Sequence, residues 1–288
     1  MNECVICHHP LKNKAKLHLK QIRLVQCDRC QSWISLPRPT VNDQIAIHDD
    51  AEYFEHPYFE LRRHAQQAID RRCRQVFSRL AAGIDLNILR NDRLLDVGCD
   101  TGSFLESAAR QFGIVPVGVD VSSWTVQEAQ KQGIEAYATA LETAPTHLSQ
   151  FSVITAIDLI EHVVDPASLL KQIFLRLRPG GVTYLETPNI QSSIYQLGSL
   201  LSGLTGGRPA SVFERLFPLQ HIQYFTPNSF RTLVEACGFE IVQLELRPLP
   251  FSDLATSTPI RAGLTALQVF DRLTHNEILI CGLLRKPI

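Results

Sequence analysis

The run at 94–105, Leu-Leu-Asp-Val-Gly-Cys-Asp-Thr-Gly-Ser-Phe-Leu, constrains this chain more than any other stretch. Its first half has the make-up of a buried strand, and Gly98 and Gly102 punctuate a tight turn before a helix begins at once. Such a turn presents backbone N–H groups and lets a ligand approach the main chain closely. About eighteen residues past the turn, a second apolar run at 115–119 ends in Asp120. A carboxylate at the tip of the neighbouring strand can accept hydrogen bonds from both hydroxyls of a ribose. The first expectation is therefore an α/β chain with a nucleoside site at the ends of two parallel strands.

Spacing decides which nucleoside. A dinucleotide fingerprint needs glycines in G-x-G-x-x-G order, and here those positions read Gly98, Asp100 and Ser103. The carboxylate of Asp100 would repel a pyrophosphate, whereas it can pair with the ammonium of a methionine tail. The segment resembles motif I of the class I S-adenosylmethionine-dependent methyltransferases, D-x-G-x-G-x-G. It keeps Asp96, Gly98 and Gly102 but carries Asp100 in place of the middle glycine. The resemblance implies cofactor contacts from Asp96, Gly98, Cys99, Asp100 and Gly102 around the turn, and from Asp120 and Val121 after the second strand. It also implies contacts from Ala140 and Leu141 beside the adenine, and from Ile157 and Asp158 at the end of the fourth strand.

Further signals agree in order along the chain. Helices are expected at 101–112 and 124–131, the latter ended by Gly133, and strands at 134–138 and 151–156. Asp165 reads as an N-cap with Pro166 at the first helical position, and Leu-Arg-Pro-Gly-Gly at 177–181 closes that helix before a strand at 182–186. Thr226 caps a helix at 227–237, strands follow at 239–246 and 277–284, and a helix at 260–273 lies between them. The resemblance implies a Rossmann-like, seven-stranded methyltransferase sheet whose last strand inserts antiparallel. Residues 189–221 depart from the alternation, with Ile194, Leu197, Leu200, Leu201 and Leu204 in a helical stripe followed by Gly206 and Gly207. An insertion after the fifth strand lies over the acceptor pocket, so this stripe is expected to serve as a lid, as core packing, or as both.

The front of the chain is of a different kind. Cys4 and Cys7, then 19 residues, then Cys27 and Cys30 form a paired C-x2-C pattern at zinc-ribbon spacing. Four thiolates close a tetrahedral site, so the expected Zn2+ is structural and folds a segment too short to build its own core. The expected division is a zinc-ribbon-like module at 1–40, a linker and N-terminal helix at 41–90, and a methyltransferase domain at 91–288 with its insertion at about 189–221. The N-terminal helix has apolar residues at three- and four-residue steps from Leu61 to Leu80, and its other face carries Arg62, Arg63, Arg71, Arg72, Arg74 and Arg79. That face reads as a solvated cationic surface in preference to an anion-binding one.

Net charge is −1, yet residues 1–30 and 60–80 each carry six Lys or Arg against two acids. A basic front allows contact with RNA, but aromatic stacking partners are scarce there, with Trp33 the one nearby. No run reaches the ~18 apolar residues of a membrane span, and with no signal-peptide core at the N-terminus a cytoplasmic enzyme is expected. The leading expectation is methyl transfer from S-adenosylmethionine to an oxygen, nitrogen or carbon of a small molecule, such as a sugar, polysaccharide precursor or secondary metabolite. An alcohol acceptor needs a base with a pKa near neutrality, and His162 and His221 are the candidates by position. RNA methylation is the alternative enzyme reading, and a non-catalytic protein with a degenerate cofactor pocket is the alternative of another class.

Overall fold

The computed structural model describes residues 3–12, 14–19, 22–48, 66–249 and 258–288. The acid- and aromatic-rich stretch 49–59 and the start of the arginine helix lie outside them. The chain opens with three short strands, β1 (Ala15–His18), β2 (Arg23–Gln26) and β3 (Trp33–Leu36), paired antiparallel in sequence order. A helix that the sequence reading treats as linker follows, α1 (Val41–His48). Its start is fixed by a reciprocal cap: Asp43 N donates to Thr40 Oγ1 at 3.2 Å, and Thr40 N donates to Asp43 Oδ2 at 2.8 Å. The next helix, α2 (Gln66–Leu80), buries Cys73, Val76, Phe77 and Leu80 along one stripe.

The body alternates strand and helix: β4 (Arg93–Val97), α3 (Ser103–Phe112), β5 (Val115–Asp120), α4 (Ser123–Lys131), β6 (Glu135–Ala138), β7 (Phe151–Ile157), α5 (Pro166–Arg176) and β8 (Leu177–Pro188). Then come α6 (Ser193–Thr205), α7 (Ala210–Leu216), the two-residue β9 (Gln223–Tyr224), α8 (Pro227–Ala236), β10 (Glu240–Arg247), α9 (Thr258–Thr274) and β11 (Leu279–Arg285). Seven strands form one sheet in the order β10-β11-β8-β7-β4-β5-β6. The pairs from β8 to β6 are parallel, and β11 enters antiparallel between β8 and β10. This is the Rossmann-like methyltransferase sheet that the sequence leads one to expect.

The strands are buried on both faces because helices cover both, as parallel sheets require. In β4 the pleat sends Leu95 and Val97 into the layer that holds Ile154, Leu185, Phe230 and Ile280, while Leu94 joins Phe77, Leu80, Val153 and Val182 on the other side. The expected caps are present: Asp165 accepts from Ser168 N, and Thr226 accepts from Ser229 N in a full capping box. The fifth body strand starts earlier than the expected 182–186. Leu177 already pairs with Phe151 before a register shift, and an added side chain at Gly181 would meet Phe151 O at 2.9 Å.

One strand connects the front of the chain to the body. β9 pairs antiparallel with β3, Trp33 opposite Tyr224 and Ile34 opposite Gln223, so it becomes the fourth strand of the small sheet. Ser35 N donates to Ile222 O at 3.0 Å, Ser32 Oγ to Ser229 Oγ at 2.7 Å, and Thr226 Oγ1 to Cys30 O at 3.1 Å. Arg38 spreads its guanidinium over Ile222 O, Gln223 Oε1 and Val164 O at 2.9, 2.9 and 2.6 Å. Burial pulls its pKa down to about 10, so this docking relies on those three acceptors. Cys4, Ile6, Val25 and Ile34 share one apolar cluster with Phe225, Phe230 and Leu233 of the body.

Candidate functional site

At the tip of β4 the chain turns on Gly98 (φ 75°), Asp100 (φ 49°) and Gly102 (φ 79°). Gly102 begins α3, and a Cβ there would lie 2.4 Å from Ile134 Cδ1; a Cβ at Gly98 would lie 3.0 Å from Leu159 Cδ1. Both glycines are therefore needed for backbone conformation and for packing. Asp100 stands at the position of the motif's middle glycine and is left-handed, a region that aspartate tolerates better than most residues.

Asp120 ends β5 and braces this turn. Its Oδ2 accepts Asp100 N at 2.9 Å and its Oδ1 accepts Ser122 N at 3.0 Å. The residue is half-buried, and a carboxylate is a donor-accepting group with several lone-pair sites. Asp96, one strand over, is buried and accepts Thr155 Oγ1 at 2.6 Å. Burial pushes its carboxyl up to about 7, the Thr155 bond opposing and the charge of Asp120 adding. Cys99 is buried, and its Sγ occupies the space over Gly118, where a Cβ would lie 2.5 Å away. Leu141 is buried in a short turn of 3-10 helix that follows Ala140, and Val121 follows Asp120 at the strand tip. The turn thus brings together Gly98, Asp100, Gly102 and Asp120, while Asp96 and Cys99 support it from below.

The tips of β7 and β8 hold a second group. Asp158 follows Ile157 in left-handed backbone (φ 53°), and its Oδ2 lies 2.7 Å from Arg72 Nη2. The same nitrogen lies 2.6 Å from Glu186 Oε1 on β8. This corrects the expectation of a wet arginine face: Arg72 turns inward from α2 because two strand-end carboxylates need a shared cation, while Arg71 and Arg74 stay exposed. Arg79 pairs with Glu245. A shallow basin of about 390 Å³ among Arg71, Arg74, Gln75, Ser78, Arg79 and Arg247 runs along α2 and the end of β10.

Three residues past Asp158, Glu161 is buried with Oε2 accepting Thr187 Oγ1 at 2.8 Å. Its Oε1 is buried and has no hydrogen-bond partner among the described residues. Burial pushes this carboxyl up to about 8, with the charge of Asp158 adding. The segment after α7 is tied to it, since Ile222 N donates to Glu161 O at 3.0 Å and Gln223 Nε2 donates to Ile160 O and Val163 O, each at 2.7 Å. His162 and His221 consequently meet edge to face with ring centroids 4.7 Å apart, and His162 Nδ1 lies 3.1 Å from Gln220 O. Glu161, Arg72 and Glu186 are the members of this region that sequence reasoning missed. The signal for Glu161 was its place between Ile160 and His162 just after a buried strand, where a charge must be explained.

At the front, Cys4 Sγ and Cys30 Sγ lie 3.6 Å apart, Cys7 Sγ and Cys27 Sγ 3.5 Å apart, and all four sulfurs fall within 4.8 Å of one another. Tetrahedral zinc with Zn–S of about 2.3 Å sets sulfurs roughly 3.8 Å apart, so the donor set fits that ion. Both pairs make the same knuckle: His8 (φ 56°) and Gln31 (φ 62°) follow them in left-handed backbone, and their N–H groups donate to Cys4 O at 2.8 Å and Cys27 O at 2.9 Å. His8, His9 and His18 are not part of the cluster.

Comparison with known proteins agrees with this geometry. Residues 61–244 match the family model described as a methyltransferase domain. A ubiquinone biosynthesis O-methyltransferase of Aeromonas salmonicida is 31% identical over 156 residues, which cover 51% of this chain and 62% of that protein. The match thus spans less than two thirds of that relative's length. Phosphoethanolamine N-methyltransferase 2 of Haemonchus contortus, solved with S-adenosylmethionine, shares the fold at a TM-score of 0.58 and 17% identity, over 88% of this chain and 62% of that one. An S-adenosylmethionine-dependent methyltransferase of Archaeoglobus fulgidus does so at 0.54 and 17%, over 82% and 100%. With the seven-stranded order, the glycine turn and a domain match over more than half its length, the chain belongs to the class I S-adenosylmethionine-dependent methyltransferases.

Proposed function

We propose that this enzyme transfers the methyl group of S-adenosylmethionine to a hydroxyl of a small molecule, in the class of sugars, polysaccharide precursors or other secondary metabolites. One observation carries the reading: the braced turn at Asp100 and Asp120 and the Glu161–His162–His221 cluster stand at the ends of neighbouring strands of one sheet, where ligands of such folds bind. Relatives named as O-methyltransferases favour oxygen as the acceptor atom.

When bound, S-adenosylmethionine supplies an electrophilic methyl group on a sulfonium. In this reading Asp120 accepts from the ribose hydroxyls and Gly98, Cys99 and Gly102 let the turn approach the ligand. Asp100 faces the ammonium of the methionine tail, with Asp96 beneath. Val121, Ala140 and Leu141 flank the adenine, and Ile157 and Asp158 close the site toward the acceptor. The His162–His221 pair takes the acceptor's proton, as an imidazole does without large perturbation. Alignment and exclusion of water carry the rest of the acceleration.

The insertion at about 189–221 covers the acceptor side. Tyr195 of α6, Phe217 and Tyr224 form a ring cluster with centroid spacings of 5.6–5.9 Å, which places the insertion against β9 beside His221. Cys4, Cys7, Cys27 and Cys30 hold one structural zinc ion, and through β3 that module supports β9. The division into a module at 1–40, a linking segment at 41–90 and a catalytic domain at 91–288 describes the roles, although strand pairing crosses it.

The test is incubation of the enzyme with isotopically methyl-labelled S-adenosylmethionine and a metabolite extract. Label should enter a low-molecular-weight product, and both Asp120→Ala and the double variant His162→Ala with His221→Ala should lose it. Label in RNA, or none in any fraction, would contradict the reading.

A further inference from the structure

We infer that Glu161, His162 and His221 form a second cation site, which takes a first-row divalent ion through one carboxylate oxygen and two imidazole nitrogens. One ligand atom from each residue lies within 4.8 Å of the others. An ion bound at about 2.0–2.2 Å draws such atoms to roughly 3–3.5 Å apart, a movement within reach of side-chain rotation. The cluster is separate from the four cysteines and differs from them in chemistry. Two imidazoles and a carboxylate suit iron, manganese, cobalt or zinc in the divalent state, and disfavour calcium and magnesium.

Three observations support a built site in preference to a chance grouping. Glu161 is 1% exposed, and its Oε1 is buried with no hydrogen-bond partner among the described residues, an arrangement that costs free energy unless a ligand or proton compensates it. Its other oxygen is held by Thr187 Oγ1 at 2.8 Å, which fixes the carboxylate plane as the outer partners of metal ligands do. The two histidines come from segments 58 residues or more apart that are locked together by Ile222 N to Glu161 O and by His162 Nδ1 to Gln220 O. Both histidines are half-buried, so an ion can reach them while the carboxylate stays covered.

The ion-binding claim stands on this cluster, while its bearing on catalysis rests on the function proposed above. With an ion bound, the two imidazoles are ligands instead of bases, so metal loading and proton acceptance are distinguishable states of one cluster.

The experiment is a Co2+ titration of the full chain with its four-cysteine site already loaded with zinc, followed by visible absorption and calorimetry. One Co2+ per chain should bind with weak d–d bands and without the intense thiolate charge-transfer band that cobalt in the cysteine site gives. Glu161→Gln and His221→Ala should each weaken this binding at least tenfold while keeping one zinc per chain. His221→Ala removes a half-buried ring at the edge of the body, so it serves where Glu161→Gln fails to fold. Absence of any cobalt beyond the cysteine site, or binding unchanged in the variants, overturns the inference. Retained S-adenosylhomocysteine binding in the same sample then leaves the methyltransferase reading standing.

Discussion

Trp33 and Tyr224 face each other as register partners in one antiparallel ladder, so the cysteine module and the segment carrying His221 are parts of a single small sheet. Trp33 also stacks on Phe217 at 6.1 Å between centroids, and Arg38 reaches three acceptors across the same seam. Removal of the proposed zinc ion should therefore act at a distance. Chelation, or Cys27→Ser, should lower methyl transfer at least tenfold while S-adenosylhomocysteine affinity changes less than threefold, because the braced turn lies at the ends of β4 and β5. Zinc content, activity and calorimetry on one sample check this; full activity in zinc-free protein contradicts it.

The shared cation at the ends of β7 and β8 sets a stability prediction. Arg72→Met removes the cation that Asp158 and Glu186 share, leaving Glu186 with Tyr184 Oη at 2.7 Å and Arg247 Nη1 at 3.8 Å, and should cost roughly 2–3 kcal/mol, below the usual range for breaking a buried pair because Arg72 keeps 30% of its side-chain surface exposed. Adding Glu186→Gln should recover part of that loss. Urea unfolding of the two variants measures it, and a double variant less stable than the single one contradicts the pairing.

Asp96 predicts a pH dependence. Its folded pKa is raised to about 7 by burial, above the ordinary value of 3.8, so the folded state holds a proton that the unfolded chain releases. The stabilisation is complete below pH 3.8 and is lost as pH rises toward 7. In the cofactor-free protein Asp96→Asn should flatten the fall in Tm over that window. An equal slope in wild type and variant, recorded by calorimetric scans, contradicts this.

Asp100 occupies a glycine conformation at φ 49°. Asp100→Gly should change stability by less than about 0.5 kcal/mol, since relief of backbone strain offsets the added freedom of the unfolded chain. Asp100→Val, β-branched at positive φ, should cost roughly 1–2 kcal/mol or more. Equal stability of the two variants in denaturant unfolding would show that the turn relaxes.

Much of this architecture is legible in the residues. Asp165 with Pro166, Thr226 with Pro227, and the turn Gly98 to Gly102 announce themselves through local backbone chemistry, which needs no distant partner. The β9 strand does not, because Gln223 and Tyr224 acquire strand geometry only by pairing with β3, almost 190 residues earlier. Arg72 looks like its neighbours Arg71 and Arg74 until the positions of Asp158 and Glu186 are known. Glu161 is similar: its unpaired oxygen follows from Thr187 and from the segment around His221, contacts that periodicity does not encode.

The proposed activity requires a nucleoside held at the ends of β4 and β5 by Asp120. Titration calorimetry of S-adenosylhomocysteine against wild type and Asp120→Ala, with Tm recorded for both, tests it most directly. Loss of hydrogen bonds to a charged acceptor should weaken binding at least tenfold, about 1.4 kcal/mol. Unchanged affinity in a folded variant would contradict the placement of the cofactor.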